Sequence, residues 1–266
     1  MYFHHFRDYI CFKLVRVSAG AIPEPAVGGF FDADGRMAAE LKEHTGPAAG
    51  RAARGVVAAL FRVSVCLVGL AAMVGSVQAS PPRTDAVSLY QGQGVDANLI
   101  NVLPKLFTGD LRFERTYFTA AGYYHPLETP RGLQSVLDFL HVPDTGAGFE
   151  LIAAKHHGMQ HNAEVDAAYA LRFSKMSLYA FTVRFGIDFG LSYAFGRPSY
   201  EDGSVDDPDR RYRFQSYGAY ELEWGHGAAP RISFVTRIHH RSGIYGLIAP
   251  RQVGSNFLAL GLRYGF

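Results

Sequence analysis

The segment from Thr182 to Phe195, with the sequence TVRFGIDFGLSYAF, decides the fold of this chain. Its odd positions are all apolar or aromatic: Val183, Phe185, Ile187, Phe189, Leu191, Tyr193 and Phe195. Its even positions are polar or small: Thr182, Arg184, Gly186, Asp188, Gly190, Ser192 and Ala194. Because side chains alternate across a strand, this pattern predicts one strand with an apolar and a polar face. Lipid on one side and a polar interior on the other explain so long a strand, whereas strands of soluble sandwiches are usually about 5–6 residues long.

Other segments repeat this alternation, with turn-rich stretches between them. The clear ones are Glu164–Ser174, Arg211–Trp224, Arg231–Ser242 and Leu258–Phe266, and the weaker ones are Val87–Gln93, Arg112–Tyr124 and Phe149–His157. Alternating segments of about ten residues are typical of transmembrane β-barrels. We therefore predict an all-β fold, an eight-stranded antiparallel transmembrane β-barrel, in the bacterial outer membrane.

A barrel of eight strands is filled by its own side chains and leaves no wide channel. The predicted inward set mixes both signs of charge: Glu164, Asp166, Arg172, Arg184, Asp188, Arg211, Arg213, Glu221, Glu223, Arg237 and Arg263. Unpaired buried charge is costly, so these groups are expected to pair with one another. This interior argues against a pore.

Loop lengths predict the orientation, since outer-membrane barrels have short periplasmic turns and longer outer loops. Gly94–Gly109, the acidic segment Arg197–Arg210 and Gly243–Gly254 are predicted as long solvated loops, and Gly225–Pro230 as a short turn. The strand Arg231–Ser242 therefore runs outward. A short amphipathic helix is predicted between Pro130 and Pro143, from Leu133, Val136, Leu137 and Leu140.

The N-terminal part of the chain predicts export. A short basic segment with Arg51, Arg54 and Arg62 precedes the apolar run Val63–Val74. After this run, Val77-Gln78-Ala79 has small residues at the positions that specify a cleavage site. We expect residues 51–79 to be a signal peptide and residues 80–266 to form the barrel. Residues 1–50 are expected to be a disordered extension or a misplaced gene start, with Met37 as a candidate initiator.

Composition excludes several classes of protein. Basic and acidic residues are equal in number over residues 80–266, which gives no electrostatic case for nucleic acid. Cys11 and Cys66 both precede residue 80, so the predicted barrel has no cysteine-based metal site. His156, His157 and His161 are predicted to be solvated loop residues rather than metal ligands. No cofactor or metal is expected.

His240 and Ser242 end the otherwise apolar face of Arg231–Ser242, and they lie two residues apart on the same side. Serine needs a base to take its proton, and histidine is the usual base. The pair is therefore either the polar boundary of the membrane face or a catalytic pair that hydrolyses an ester of an acyl chain lying against the barrel wall.

The last 36 residues, Arg231–Phe266, resemble the C-terminal region of the PagL-type lipid A deacylases and their acyloxyacyl-hydrolase-like relatives. The resemblance rests on His240-Arg241-Ser242 at the end of the penultimate strand. It implies Ser242 as nucleophile, His240 as general base and lipid A, the anchor of lipopolysaccharide in the outer leaflet, as substrate. The terminal sequence from Gly261 to Phe266 resembles the signal read by the barrel-assembly machinery.

Two positions depart from that family. Gly243 stands where the family has an asparagine in the oxyanion hole, so only its backbone is a candidate oxyanion donor. No carboxylate follows Ser242, and Asn256 is the candidate to orient the histidine, as asparagine does in papain-like enzymes. Loss of one oxyanion donor typically lowers the rate about 10²–10³-fold. A non-catalytic barrel with a structural or adhesive role stays the alternative, and a soluble lipocalin-like barrel is disfavoured by the outward aromatic residues.

Overall fold

A computed structural model describes Ser76–Gln78 and residues 84–266, apart from residues 141, 143–144, 204–206 and 208. The predicted extension 1–50 and nearly all of the predicted signal peptide 51–79 lie outside the described residues. Ser76–Gln78 forms a short strand that pairs with Lys175–Leu178.

The described chain forms a closed, eight-stranded antiparallel barrel, which confirms the predicted fold class. The strands are β1 Ala86–Val95, β2 Phe113–Leu127, β3 Gly146–Gly158, β4 Ala163–Arg172, β5 Phe181–Phe195, β6 Phe214–His226, β7 Ile232–Ser242 and β8 Gly254–Gly265. Each strand pairs with its neighbours in sequence. The barrel closes where β8 pairs with β1, with Gly261 opposite Tyr90. Lys175–Leu178 continues the line of β4 along β5.

The barrel places its charged residues inside and its apolar residues outside. On the outer face Leu89 is 67% exposed, Leu262 is 60% exposed and Phe189 is 54% exposed. A soluble protein does not expose so continuous an apolar surface, whereas a barrel that crosses a bilayer with its strands requires one. No helix among the described residues is both long enough and apolar enough to cross a bilayer.

Paired charges fill the lower part of the lumen. Arg237 donates to Glu150 at 2.6 Å and also pairs with Asp188, and Arg263 pairs with Glu221 at 2.7 Å. Arg172 lies against the same three carboxylates, with its Nε 3.0 Å from Glu221. Phe118, Tyr217 and Phe257 fill the lumen above this network. The interior is thus a packed core, as its sequence predicted.

Three details of the predicted interior were wrong. Arg213 is exposed and Arg211 is partly exposed, because β6 begins only at Phe214. His156 was assigned to a solvated loop, but β3 extends past it and carries it fully buried into the lumen. The segment Arg197–Arg210 was expected to be solvated throughout, but the Glu201 carboxylate turns into the lumen mouth and pairs with Arg241.

The segment Gly94–Gly109 is not a simple loop, because it contains the helix α1, Leu99–Thr108. Val102 and Leu106 are fully buried on one side of α1, where they pack against Ile238 and Leu258. Both of these partners belong to the outward face of the barrel. Helix α1 is therefore fixed to the outside of the wall at the outer end of β7 and β8. A second helix, α2, spans Arg131–Phe139 as predicted.

Candidate site on the outer face of the barrel

The candidate site lies at the C-terminal end of β7, between β6 and β8. His240 and Ser242 are half-buried and lie on the same face of β7 as Ile238. In the register of the barrel, Asn256 of β8 stands opposite His240, and Ser216 of β6 stands opposite Ser242. Because strand neighbours in register share a face, the sheet brings four polar side chains together on an otherwise apolar wall.

The hydrogen bonds of Asn256 determine which nitrogen of His240 carries the proton. Asn256 Nδ2 lies 2.8 Å from the carbonyl oxygen of Ala97, which can only accept. This contact orients the amide, so Oδ1 is the atom that lies 2.8 Å from His240 Nδ1. Oδ1 also only accepts, and Nδ1 must therefore hold the proton. In the neutral ring Nε2 is then the basic nitrogen.

The hydroxyl of Ser242 is engaged by its neighbour on β6. Ser216 Oγ donates its single proton to the backbone oxygen of Ser242 at 2.7 Å. The two hydroxyl oxygens lie 3.0 Å apart. Because Ser216 has already used its proton, Ser242 must be the donor in that second contact. No hydrogen bond joins Ser242 to His240 among the described residues.

The predicted catalytic contact between Ser242 and His240 is thus not formed in this structure. Residues i and i+2 on one strand face are roughly 7 Å apart at their α-carbons. A rotation about χ1 of Ser242 would release its hydroxyl from Ser216 and turn it along the strand. Catalytic hydrogen bonds are often absent before the substrate binds, so the resting geometry does not remove the pair as a candidate.

Gly243 occupies a position that has no room for a side chain. A Cβ atom there would meet the backbone oxygens of Ala249 and Pro250. Its own carbonyl oxygen accepts bonds from the folded-back loop, including one from the Ile248 amide at 3.1 Å. The asparagine that the family resemblance implies after the serine could not fit this loop. The predicted role of the Gly243 amide as an oxyanion donor stays a prediction.

The loop beyond Ser242 presents apolar side chains outward. Tyr245 is 90% exposed and Leu247 is 80% exposed. Ile244 and Tyr245 adopt positive φ angles of 46° and 53°, a conformation that is strained for a β-branched residue such as Ile244. The tight turn thus holds apolar groups directly above the candidate site.

The two sides of His240 differ in access. On the β8 side, Asn256 and the backbone before α1 cover the imidazole. On the β6 side, Gly218 stands opposite His240 and has no side chain. A Cβ atom at Gly218 would lie 3.8 Å from His240 Cδ2, in ordinary contact with the imidazole edge. The open approach to the imidazole is therefore from the β6 side, over Gly218.

Sequence reasoning missed three contributors to the site: Ser216, Gly218 and the Ala97 carbonyl. Ser216 and Gly218 lie on the outward face of the predicted strand Arg211–Trp224, but only the register between β6 and β7 places them beside His240 and Ser242. The Ala97 carbonyl is a backbone group, so nothing in the sequence marks it as part of the site.

The three histidines considered as a metal group are not brought together. His156 is inside the lumen, whereas His157 lies on the outer face and stacks on Tyr117 with ring centroids 5.5 Å apart. His239 also faces the lumen, where it bonds to Glu164 at 2.8 Å. Glu221 and Glu223 are likewise inside, so neither can orient His240.

No protein-family model and no curated protein matches the sequence. Among solved structures, the outer-membrane enzyme PagL is similar, with a TM-score of 0.45 and 10% identity over 68% of this chain and 99% of that one. Neisserial surface protein A is similar with a TM-score of 0.39 and 8% identity, over 68% of this chain and 97% of that one. At this level of similarity, no residue role is transferred to this chain.

Proposed function

We propose that this protein is an outer-membrane esterase that releases an ester-linked fatty acid from lipid A. Ser242 is the nucleophile and His240 is the general base. The observation that carries the proposal is the hydrogen-bond chain from Ala97 through Asn256 to His240. This chain of hydrogen bonds leaves His240 Nε2 as the basic nitrogen. His240 lies on the lipid-facing side of the wall, on the same face of β7 as the Ser242 hydroxyl.

The surroundings of this pair support a lipid substrate. The exposed apolar band places the barrel in a bilayer. We assign the end with the long connections 96–112, 196–213 and 243–253 to the outside, since outer loops are usually the longer ones, and lipid A forms the outer leaflet there. Tyr264 and Phe266 are exposed at the end of the chain, in keeping with a signal for the barrel-assembly machinery. The acyl chains of lipid A would then lie against the wall below His240.

The reaction would proceed in two steps. Ser242 turns from Ser216, gives its proton to His240 Nε2 and attacks the ester carbonyl carbon. The bond to the sugar hydroxyl breaks, and that oxygen takes the proton back from Nε2. Water then attacks the acyl-Ser242 ester with His240 again as base, which releases the fatty acid and restores the serine. The Gly243 amide is the candidate donor to the oxyanion.

The test compares two serines that touch each other. Lipid A is analysed by mass spectrometry from cells that express the wild type, Ser242→Ala or Ser216→Ala. We expect the wild type to remove one acyl chain and Ser242→Ala to leave lipid A unchanged, with both variants in the outer membrane at equal amounts. We expect Ser216→Ala to keep the activity, because its hydroxyl only holds the resting serine. Lipid A that is the same with and without the wild-type protein would rule out the enzyme.

The alternative function is a non-catalytic barrel with a structural or adhesive role. It is favoured by one observation, that the Ser242 proton is engaged by Ser216 rather than by His240. In that case Ser242→Ala has no phenotype, whereas replacement of the acidic outer loop Arg197–Arg210 alters surface binding.

A further inference from the structure

The upper part of the lumen holds a second group of chemically active residues, on the inner side of the wall that carries His240. Glu164 and Asp166 project inward from β4 and His239 projects inward from β7, and all three are fully buried. One ligand atom from each lies within 4.8 Å of the others. We propose that these three residues bind a divalent transition-metal ion such as Zn²⁺.

Asp166 is the residue that points to a ligand. It is fully buried, yet neither of its carboxylate oxygens has a hydrogen-bond partner among the described residues. Ser192 stands opposite Asp166 on β5 and interacts with it electrostatically, but the two side chains do not reach hydrogen-bond geometry. A buried carboxylate without a partner carries a large desolvation cost, and a bound cation is one of the few ways to offset it.

The other acidic cluster of the lumen differs, because all of its carboxylates are paired with arginines. Glu150, Asp188 and Glu221 are equally buried and equally close together. Each of them pairs with at least two of the three arginines described above. That cluster is neutralised by the protein itself and needs no metal. None of the arginines in the described part of the chain forms an ion pair with Asp166.

The numbers of buried acidic and basic groups in the lumen differ by two. Among the described residues, the buried carboxylates are Glu150, Glu164, Asp166, Asp188, Glu201, Glu221 and Glu223. The buried guanidinium groups are Arg172, Arg184, Arg237, Arg241 and Arg263. Seven negative groups face five positive ones, which leaves two carboxylates in excess, and Asp166, which pairs with none of these guanidinium groups, is beside His239. A divalent cation would balance this difference.

The distances suit a metal after small shifts. His239 Nε2 lies 2.8 Å from Glu164 Oε1 and 3.9 Å from Asp166 Oδ2. Ligand atoms about 2.1 Å from a tetrahedral ion are roughly 3.4 Å apart, between these two values. One imidazole and two carboxylates favour Zn²⁺ over Ca²⁺, which takes oxygen ligands.

Neighbouring groups hold the proposed ligand Glu164 in place. Its second oxygen, Oε2, lies 3.1 Å from His156 Nε2 and 3.2 Å from Arg241. Gln160 in turn bonds to the other nitrogen of His156 at 2.8 Å. Such contacts orient ligands and are typical of the surroundings of metal sites. Glu164 Oε1 is thereby presented to His239.

The experiment uses the full chain, purified in detergent, treated with a chelator and titrated with Zn²⁺. Metal content by mass spectrometry and the temperature of barrel unfolding are both measured. We expect the wild type to bind a single equivalent of Zn²⁺ and to unfold at a higher temperature with it. We expect Asp166→Asn, which keeps the shape of the side chain, to fold and to bind Zn²⁺ roughly 10–100-fold more weakly.

His157→Gln is the matched control, because it removes a histidine from the outer face of the same barrel. We expect it to bind Zn²⁺ like the wild type. A folded wild-type barrel without saturable Zn²⁺ uptake would overturn the proposal, as would equal affinity in the wild type and Asp166→Asn. Neither result depends on esterase activity, because His239 and His240 lie on opposite faces of β7.

Discussion

At the scale of single residues, Asn256 has the largest influence on the candidate chemistry. It accepts from His240 and donates to Ala97, and both contacts are 2.8 Å long. The two bonds set the tautomer of His240, beside which no carboxylate lies in the described part of the chain. A neutral amide orients an imidazole but does not stabilise the imidazolium as a carboxylate would.

Asn256→Ala removes both of these contacts. We expect the rate of deacylation to fall by roughly 10–10³-fold, because Nδ1 loses the acceptor that fixes its proton. The measurement is the initial rate of fatty-acid release from purified lipid A in detergent, with circular dichroism to confirm the fold. An unchanged rate would show that Asn256 does not orient His240.

Asn256→Asp is the informative companion variant. The carboxylate keeps an acceptor for Nδ1 but cannot donate to Ala97. We expect it to retain activity or to exceed the wild type. Activity as low as that of Asn256→Ala would instead assign the effect to the lost contact with the backbone before α1.

At the scale of elements, α1 covers one side of the site. Its buried residues Val102 and Leu106 pack on the outward residues Ile238 and Leu258, next to the strand positions of His240 and Asn256. Gly109 ends the helix with a positive φ of 90° and donates to the Lys105 carbonyl. The helix therefore has a defined end and a fixed contact with the wall.

Leu106→Ala tests this contact, and Ile100→Ala is the control. Leu106 is fully buried, whereas Ile100 on the same helix is 82% exposed. We expect Leu106→Ala to lower the free energy of unfolding by about 2–5 kcal/mol and Ile100→Ala to change it by less than about 0.5 kcal/mol. The measurement is thermal unfolding in detergent. Equal effects would contradict the packing of α1 on the wall.

At the scale of the whole molecule, the lumen network joins the strands across the barrel. Arg237 of β7 reaches Glu150 of β3 and Asp188 of β5. Arg263 of β8 reaches Glu221 of β6 at 2.7 Å. Charges that are buried together in this way are strongly destabilising when only one partner is removed. The barrel is therefore stabilised by the ion pairs in its lumen as well as by the hydrogen bonds between its strands.

Arg237→Met removes one of the arginine partners of the buried carboxylates Glu150 and Asp188. We expect a loss of roughly 3–5 kcal/mol in the free energy of unfolding. Arg231→Met, at an exposed position beside the same strand, should change it by less than about 0.5 kcal/mol. Heat-dependent mobility on denaturing gels measures both. Equal stability of the two variants would contradict the inward pairing of Arg237.

The sequence by itself determined the class of fold, the strand faces and the pair His240 and Ser242. A period of two in side-chain polarity is local, and segments such as Thr182–Phe195 carry it without reference to the rest of the chain. The same parity places Arg237 in the lumen and His240 on the outer face of β7, as the structure shows. Parity alone did not place His156, because the predicted strand Phe149–His157 ends in polar residues whose alternation is weak, whereas β3 continues to Gly158.

Only the tertiary structure shows which residues come together at the His240 and Ser242 pair and at the proposed metal site. Ser216, Gly218 and Asn256 reach the candidate pair only through the register of three neighbouring strands. Glu164 and Asp166 of β4 meet His239 of β7 only because the barrel closes. Register and closure depend on pairings between distant parts of the chain, and no local pattern encodes which residues they bring together.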